Sequence, residues 1–307
     1  MLRKTLEIAT PGTRLSIRHR QLVIERPDHP PITRPVEEIG LLILEHPRLT
    51  LTQPVLVQLA EAGAAVLVTG PDHLPLGLLL PLTAHHAPTQ RHHAQIAASA
   101  PLQKRLWQAI IAAKLRQQAR LLATITGQNH GLAAMARRVR SGDPENLEAQ
   151  AAQRYWPALM GADFKRNRDQ PGANAALNYG YAILRAALAR ALVAAGLLPS
   201  LGVFHHNRAN PFCLADDLLE PFRPLVDQRV HAWHATADAA AQAPLDPPAR
   251  ASLLAILSQS ITLGGRTLPV SLAIEAAASS LAQSFLEKSP RLLLPESLAL
   301  PPGPNPE

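Results

Sequence analysis

The stretch LGVFHHNRANPFCLADDLLEPFRPLVD, residues 201–227, brings two histidines, four acids and two arginines into one short span. Leu214, Leu218 and Phe222 recur at helical spacing, so Asp216, Asp217 and Glu220 ride on a helix. Asp217 and Glu220 are three residues apart and Asp216 and Glu220 four, which brings their carboxylates near one another. Like charges that close repel, a cost relieved when a cation binds between them. Pro221 must kink or stop the helix because it has no N–H and crowds the carbonyl four residues back. Carboxylates beside the imidazole of His205 or His206 suit a divalent cation, and Arg208 and Arg223 suit a phosphate. An acidic helix end facing solvent would account for the same letters.

A second acid stands in NLEAQAAQRYW. Asp143 reads as an N-cap with Pro144 at the first helical position, where a missing N–H costs least. On that helix Glu148, Ala152 and Tyr155 share a stripe, so the carboxylate lies at the border of the packed face. Other histidines say less. His231 and His234 have metal-binding spacing but no third ligand follows, and His85, His86, His92 and His93 read as polar loop residues. No P-loop, dinucleotide glycine fingerprint, nucleophile elbow, zinc-protease helix or compact DNA-binding signature occurs.

These segments need a scaffold, and the hydrophobic pattern supplies one in two parts. Up to about residue 85 the pattern is mainly that of strands. TRLSIRHRQLVIER alternates as a hairpin does, while EIGLLILE, AAVLVTG and LGLLLPL are runs of buried-strand length. TQPVLVQLAEAG reads as one helix, with Thr52 as cap, Pro54 in the first turn and Gly63 at the end. LTAHHAPTQRHHAQ has no clear period and reads as a connector. From about residue 100 the period is helical, from PLQKRLWQAIIAAKLRQQARLLATI to LPVSLAIEAAASSLAQSFLEK, and LALPPGPNPE reads as a disordered tail.

Thirty Lys and Arg against 23 Asp and Glu give a net charge of +7, and most of the basic residues are arginine. That balance favours polyanionic partners. Cys213 is the only cysteine, which excludes an internal disulfide and a cysteine-rich zinc site. MLRKTLEIATPG lacks the apolar core of a signal peptide, and AILRAALARALVAAGLL is interrupted by Arg185 and Arg190. A cytoplasmic protein with no membrane association is expected.

The blocks NLEAQAAQRYW, NAALNYGYAILRAAL, LGVFHH and DDLLEPFRPLVD, in this order and spacing, resemble the CRISPR-associated integrases, the Cas-one family. KLRQQARLL and EPFRP look most like the type II versions. The resemblance covers nearly the whole chain. It implies that Glu148, His205 and Glu220 are catalytic metal ligands, that Asp217 is a second acid in that turn and His206 a neighbour, and that Mg²⁺ or Mn²⁺ is the cofactor. The fold expected is α+β: a small N-terminal β-sandwich domain followed by a larger all-α catalytic domain. Its divisions are residues 1–90 for the β, dimerising domain, 91–98 for a linker, 99–295 for the helical catalytic domain and 296–307 for a disordered tail.

The activity implied is insertion of short spacer DNA into a CRISPR repeat by 3′-OH transesterification, with associated endonuclease activity. Arg208 and Arg223 would contact DNA. Implied partners are a second copy of the chain, the small Cas-two protein bridging two dimers, and the type II effector nuclease. A basic, non-catalytic DNA scaffold and a general structure-specific nuclease remain as alternatives.

Overall fold

The structure, a computed structural model, describes residues 3–71, 74–82, 85–167, 169–236 and 245–297. The N-terminal part holds strands β1 (Lys4–Ile8), β2 (Arg14–Arg18), β3 (Gln21–Glu25), β4 (Ile32–Pro35), β5 (Ile39–Leu44) and β6 (Thr50–Leu51). Helix α1 (Gln53–Glu61) and strands β7 (Ala65–Thr69) and β8 (Pro75–Leu79) complete it. The helical half comprises α2 (Pro88–Ile96), α3 (Ala100–Thr126), α4 (Leu132–Arg138), α5 (Leu147–Met160), α6 (Ala173–Ala194), α7 (Cys213–Leu219), α8 (Arg223–Thr236) and α9 (Pro247–Leu254). Strands β9 (Ser260–Leu263) and β10 (Arg266–Pro269), helix α10 (Val270–Glu287) and strand β11 (Pro295–Ser297) follow. Among the described residues no helix is long and apolar enough to cross a membrane.

The expected hairpin forms. Leu15 pairs with Ile24 and Ile17 with Leu22, and the chain turns at His19 and Arg20, both at positive φ. Two four-stranded sheets, in the orders β4-β3-β2-β6 and β1-β5-β7-β8, face each other. Leu15, Leu22 and Ile24 of the first share a core with Ile8, Leu42 and Val66 of the second, closed by Val55 and Leu59 of α1. The alternate residues Leu41, Ile43, Ala65 and Leu67 join the core of the helical half instead. A sheet covered on both faces explains why these strands read as unbroken apolar runs.

Several local expectations need correction. LGLLLPL is not a buried strand: β8 lies at a sheet edge and leaves Leu76 and Leu79 exposed. Thr52 makes no side-chain cap; its carbonyl, rather than its hydroxyl, accepts from Val55 N–H. The linker expected over residues 91–98 is largely helix α2. Its polar sequence hid it because polar groups anchor it: the Gln95 amide bonds the Leu198 and Leu201 carbonyls and the Leu198 N–H. The helical half is not all-α, since β10-β9-β11 form a small sheet whose hairpin turns on Gly264 and Gly265. Residues 296 and 297, assigned to the tail, belong to β11, where the Pro295 carbonyl accepts from the buried Gln117 amide; residues 298–307 lie outside the described residues.

Helices α3 and α6 form the centre of the helical half, with Leu106, Trp107, Ile110, Leu121, Leu177, Leu184 and Leu188 in one core. A Cβ added at Gly180 of α6 would lie 2.4 Å from Val226 of α8 and 3.2 Å from Leu253 of α9. An exposed helical glycine normally gains stability on becoming alanine. Here overpacking reverses the sign, and Gly180→Ala is expected to cost about 1–3 kcal/mol, measured by denaturant unfolding.

Candidate active site

Glu148 sits in the first turn of α5, which begins at Leu147 rather than at Pro144. Residues 143–146 form a turn, with Asn146 in the left-handed region capping Ala149 N–H. Asp143 still serves the helix end, because its two carboxylate oxygens accept from Leu147 N–H at 2.9 Å and Glu148 N–H at 3.0 Å. The side chain it fixes reaches inward: Glu148 Oε1 is 2.6 Å from Lys114 Nζ on α3.

The same ammonium meets the second acid. Pro221 ends α7 as expected, and a 3₁₀ turn over Glu220–Phe222 joins it to α8. Glu220, in that turn, is only 4% exposed and lies 2.6 Å from Lys114 Nζ and 2.8 Å from Arg223 Nε. Burial pushes its carboxyl up, but Arg223 and Lys114 outweigh burial and hold it at about 2. Burial likewise opposes the Lys114 charge, yet Glu220 and Glu148 raise its pKa. The Arg223 guanidinium also lies over the Tyr181 ring, 4.4 Å from its centroid.

His205 comes from the loop between α6 and α7, and Asp217 shapes that loop. Fully buried, Asp217 accepts from the backbone N–H groups of Val203, Phe204 and His205 at 2.6, 3.1 and 3.2 Å and bonds His205 Nδ1 at 2.5 Å. The hydrogen bond to Asp217 raises the imidazole pKa; burial opposes it, and the charges of Asp217, Glu220 and Glu148 add to it. With Nδ1 engaged, Nε2 is the nitrogen left for other chemistry. Asp216, next in sequence, turns elsewhere, to Arg185 at 2.6 Å and Asn210 at 2.7 Å.

The three sequence-derived residues thus meet in one place, Glu148 and Glu220 on a shared ammonium and His205 within reach of both charges. Among the described residues no three acidic, histidine or cysteine side chains stand close enough to hold a metal as they are. Lys114 lies between the two acids instead. Arg208 and His206 are exposed on the loop, lining a groove of about 700 Å³. Arg223, expected on DNA, turns inward to Glu220 and Tyr181, its side chain 18% exposed.

The sequence reading missed Lys114 and a buried triad. Asp227 accepts from Tyr155 Oη at 2.7 Å and from Tyr181 Oη, and its carboxyl is pushed up to about 6, mainly by burial. Lys114 sits four residues after Ile110 and seven after Trp107, on the buried stripe of α3, a lysine where the pattern calls for an apolar residue. That mismatch was the available signal.

Glu220 stabilises the fold through its lowered pKa, so its contribution is present above about pH 4.5, the ordinary carboxyl value, and is lost as pH falls through about 2. The melting-temperature gap between the native chain and Glu220→Gln, in chelator, should be widest above pH 4.5 and narrow on acidification. Gly202→Ala tests the His205 loop: its Cβ would lie 2.4 Å from the His205 carbonyl oxygen and 2.8 Å from Asp217 Oδ2. Loss of about 1–3 kcal/mol is expected, with the imidazole titration shifting towards its ordinary value as followed by NMR.

Comparison with known proteins assigns the chain to a family. The profile of the family described as "CRISPR associated protein Cas1" matches residues 6–239. A CRISPR-associated endonuclease Cas1 from Neisseria meningitidis serogroup C (strain 8013) is 40% identical over 293 residues, covering 94% of this chain and 95% of that protein. Among solved structures, a casposase bound to integration product superposes with a TM-score of 0.78 at 20% identity, covering 94% of this chain and 92% of that one. A chain of a Cas6-RT-Cas1–Cas2 complex gives 0.71 at 18% identity, over 94% of this chain and 35% of that one. A family profile spanning most of the chain, together with a relative at 40% identity end to end, establishes that this protein belongs to the Cas1 family.

Proposed function

We propose that this chain is a divalent-metal-dependent DNA integrase, which inserts short spacer duplexes into a CRISPR repeat and cuts DNA when water replaces the attacking hydroxyl. The observation that carries the reading is the convergence of Glu148 and Glu220, from separate elements, on one positive charge beside His205. The residues fit a metal. Two carboxylates already gather around a cation, the Lys114 ammonium, and an imidazole with Nδ1 fixed by Asp217 offers Nε2. Oxygen-rich donors with one nitrogen suit Mg²⁺ or Mn²⁺. Glu148, His205 and Glu220 would hold it. When bound, the ion supplies positive charge to the attacked phosphate and to the entering or leaving oxygen.

The chain's own groups do the rest. Asp217 orients His205 and leaves Nε2 deprotonated when a cation is ligated. Arg223 holds the Glu220 carboxylate in place rather than reaching for the strand, and Arg208, exposed on the loop, neutralises phosphate. A 3′-OH of the spacer attacks phosphorus, one P–O bond forms as another breaks, and the departing strand leaves with a free 3′-OH. No energy-rich cofactor is required. The Neisseria relative, an endonuclease by name, and the casposase bound to integration product support this chemistry, and the Cas6-RT-Cas1–Cas2 complex supports a Cas2 partner. A homodimer, two of which are joined by Cas2, with the type II effector nuclease taking part in the cytoplasm, completes the proposal.

The test is joining of a short duplex to a supercoiled CRISPR-repeat plasmid in the presence of Cas2 and Mn²⁺. Glu148→Ala and His205→Ala should abolish joining and retain the fold, while His206→Ala, which touches neither Asp217 nor the acids, should join within about threefold of the native rate. Glu220→Ala should also be inactive, read beside circular dichroism because it leaves Lys114 and Arg223 buried without their partner. Metal-independent joining would point to a scaffold assisting another enzyme. Cleaved but never joined products would point to a general nuclease.

A further inference from the structure

Immediately before His205, the chain turns a phenylalanine outward. Phe204 is 46% exposed, although Val203 and Asp217 beside it are buried. The cause is local. Three successive N–H groups, from Val203 to His205, converge on the Asp217 carboxylate, and a backbone curled this way sends Val203 inward and its neighbour out. Phe204 does not swing freely. Its ring lies flat on the buried Trp107 indole, centroids 4.1 Å apart and planes within 3°. His205 stands edge-on to both rings, 5.6 Å from each. Near-parallel stacking covers one face of the phenyl ring, and the exposure is that of the other.

An aromatic face fixed by a rigid support, open to solvent beside phosphate chemistry, matches what unpaired nucleobases stack on. Val203 and His206, on either side of the pair, line the groove of about 700 Å³ together with Asn207 and Arg208. Phe204 itself does not line that groove, but Arg208 on the same loop offers a cation for a phosphate of the same strand. A base inside a duplex presents only its edges, and a terminal base pair can offer one face only with its complement attached, so the platform best fits a nucleotide freed from pairing at a DNA end. We infer that Phe204, backed by Trp107, is a stacking platform for an unpaired nucleobase and so holds the DNA end against His205. The inference rests on the DNA reading of this site.

The experiment uses the full chain, a duplex with a three-nucleotide unpaired 3′ end carrying 2-aminopurine at its last position, and a fully paired duplex of equal length. In the native chain and in Phe204→Tyr, the 2-aminopurine fluorescence should be quenched on binding. In Phe204→Leu, which still covers Trp107 with apolar atoms but has no π face, quenching should be lost. Its affinity for the unpaired end should fall about tenfold, while its melting temperature and its affinity for the paired duplex stay at native values. Equal quenching in Phe204→Leu and the native chain overturns the platform. So does a drop in melting temperature that accounts for the lost binding, which leaves Phe204 as a cover for Trp107. Failure of the native chain to bind either duplex overturns the DNA reading itself, and the platform with it.

Discussion

A carboxylate buried in the interior of a helical protein must be matched by charge, and at Glu220 that constraint organises the site. The desolvation cost of such a group amounts to several kcal/mol. Two cations offset it, Lys114 from the middle of α3 and Arg223 from the start of α8. Each brings a further obligation. Lys114 is itself buried and takes Glu148 as a second partner, which ties in the first turn of α5. Arg223 rests on Tyr181 of α6, whose hydroxyl donates to Asp227 of α8, and Asp227 also accepts from Tyr155 of α5. One buried charge therefore links four helices through contacts that each satisfy a group expensive to leave alone.

Three neighbouring acids show how little the residue type settles. Asp216, buried as well, pairs with Arg185, Asp217 closes around a loop, and Glu220 sits between cations. Asp217 works chiefly as a hydrogen-bond acceptor for backbone, and so fixes the imidazole of His205 as well as the outward turn of Phe204. Titration follows the same logic. Glu220 is held at about 2 by two cations, whereas Asp227, solvated mainly by neutral tyrosine hydroxyls, is pushed up to about 6 by burial that its hydrogen bonds only partly offset.

The strand-rich half supports this arrangement from behind. One face of the β1-β5-β7-β8 sheet belongs to the sandwich core and the other to the helices around α6. Polar ties reinforce the seam: Tyr179 of α6 donates to Glu7 of β1 at 2.8 Å, and Arg250 of α9 approaches Glu7 at 3.4 Å and Glu45 at 3.6 Å. Helix α2 then anchors the chain ahead of the His205 loop through Gln95 and Arg91, the latter donating to the Ala195 carbonyl. The N-terminal side of that loop is thus fixed before Asp217 sets its tip.

The sequence by itself determined the strand-rich-then-helical organisation, the β2–β3 hairpin and the break at Pro221, because periodicity and proline are local signals, while the grouping of Glu148, His205 and Glu220 came only through the family resemblance. That resemblance was legible because its blocks keep their residues in register. Partners that depend on distant elements were not legible. Nothing in KLRQQ states that Lys114 will meet Glu148, 34 residues later, and Glu220, 106 residues later. Nor does EPFRP say that Arg223 turns inward rather than towards a phosphate. Helix α2 escaped notice because hydrogen bonds to a remote loop hold it, so it has no apolar stripe to read. Hydrophobic pattern reports which face of an element is covered, and only the tertiary packing decides which charges, from elements far apart in the chain, must be buried together and neutralise one another.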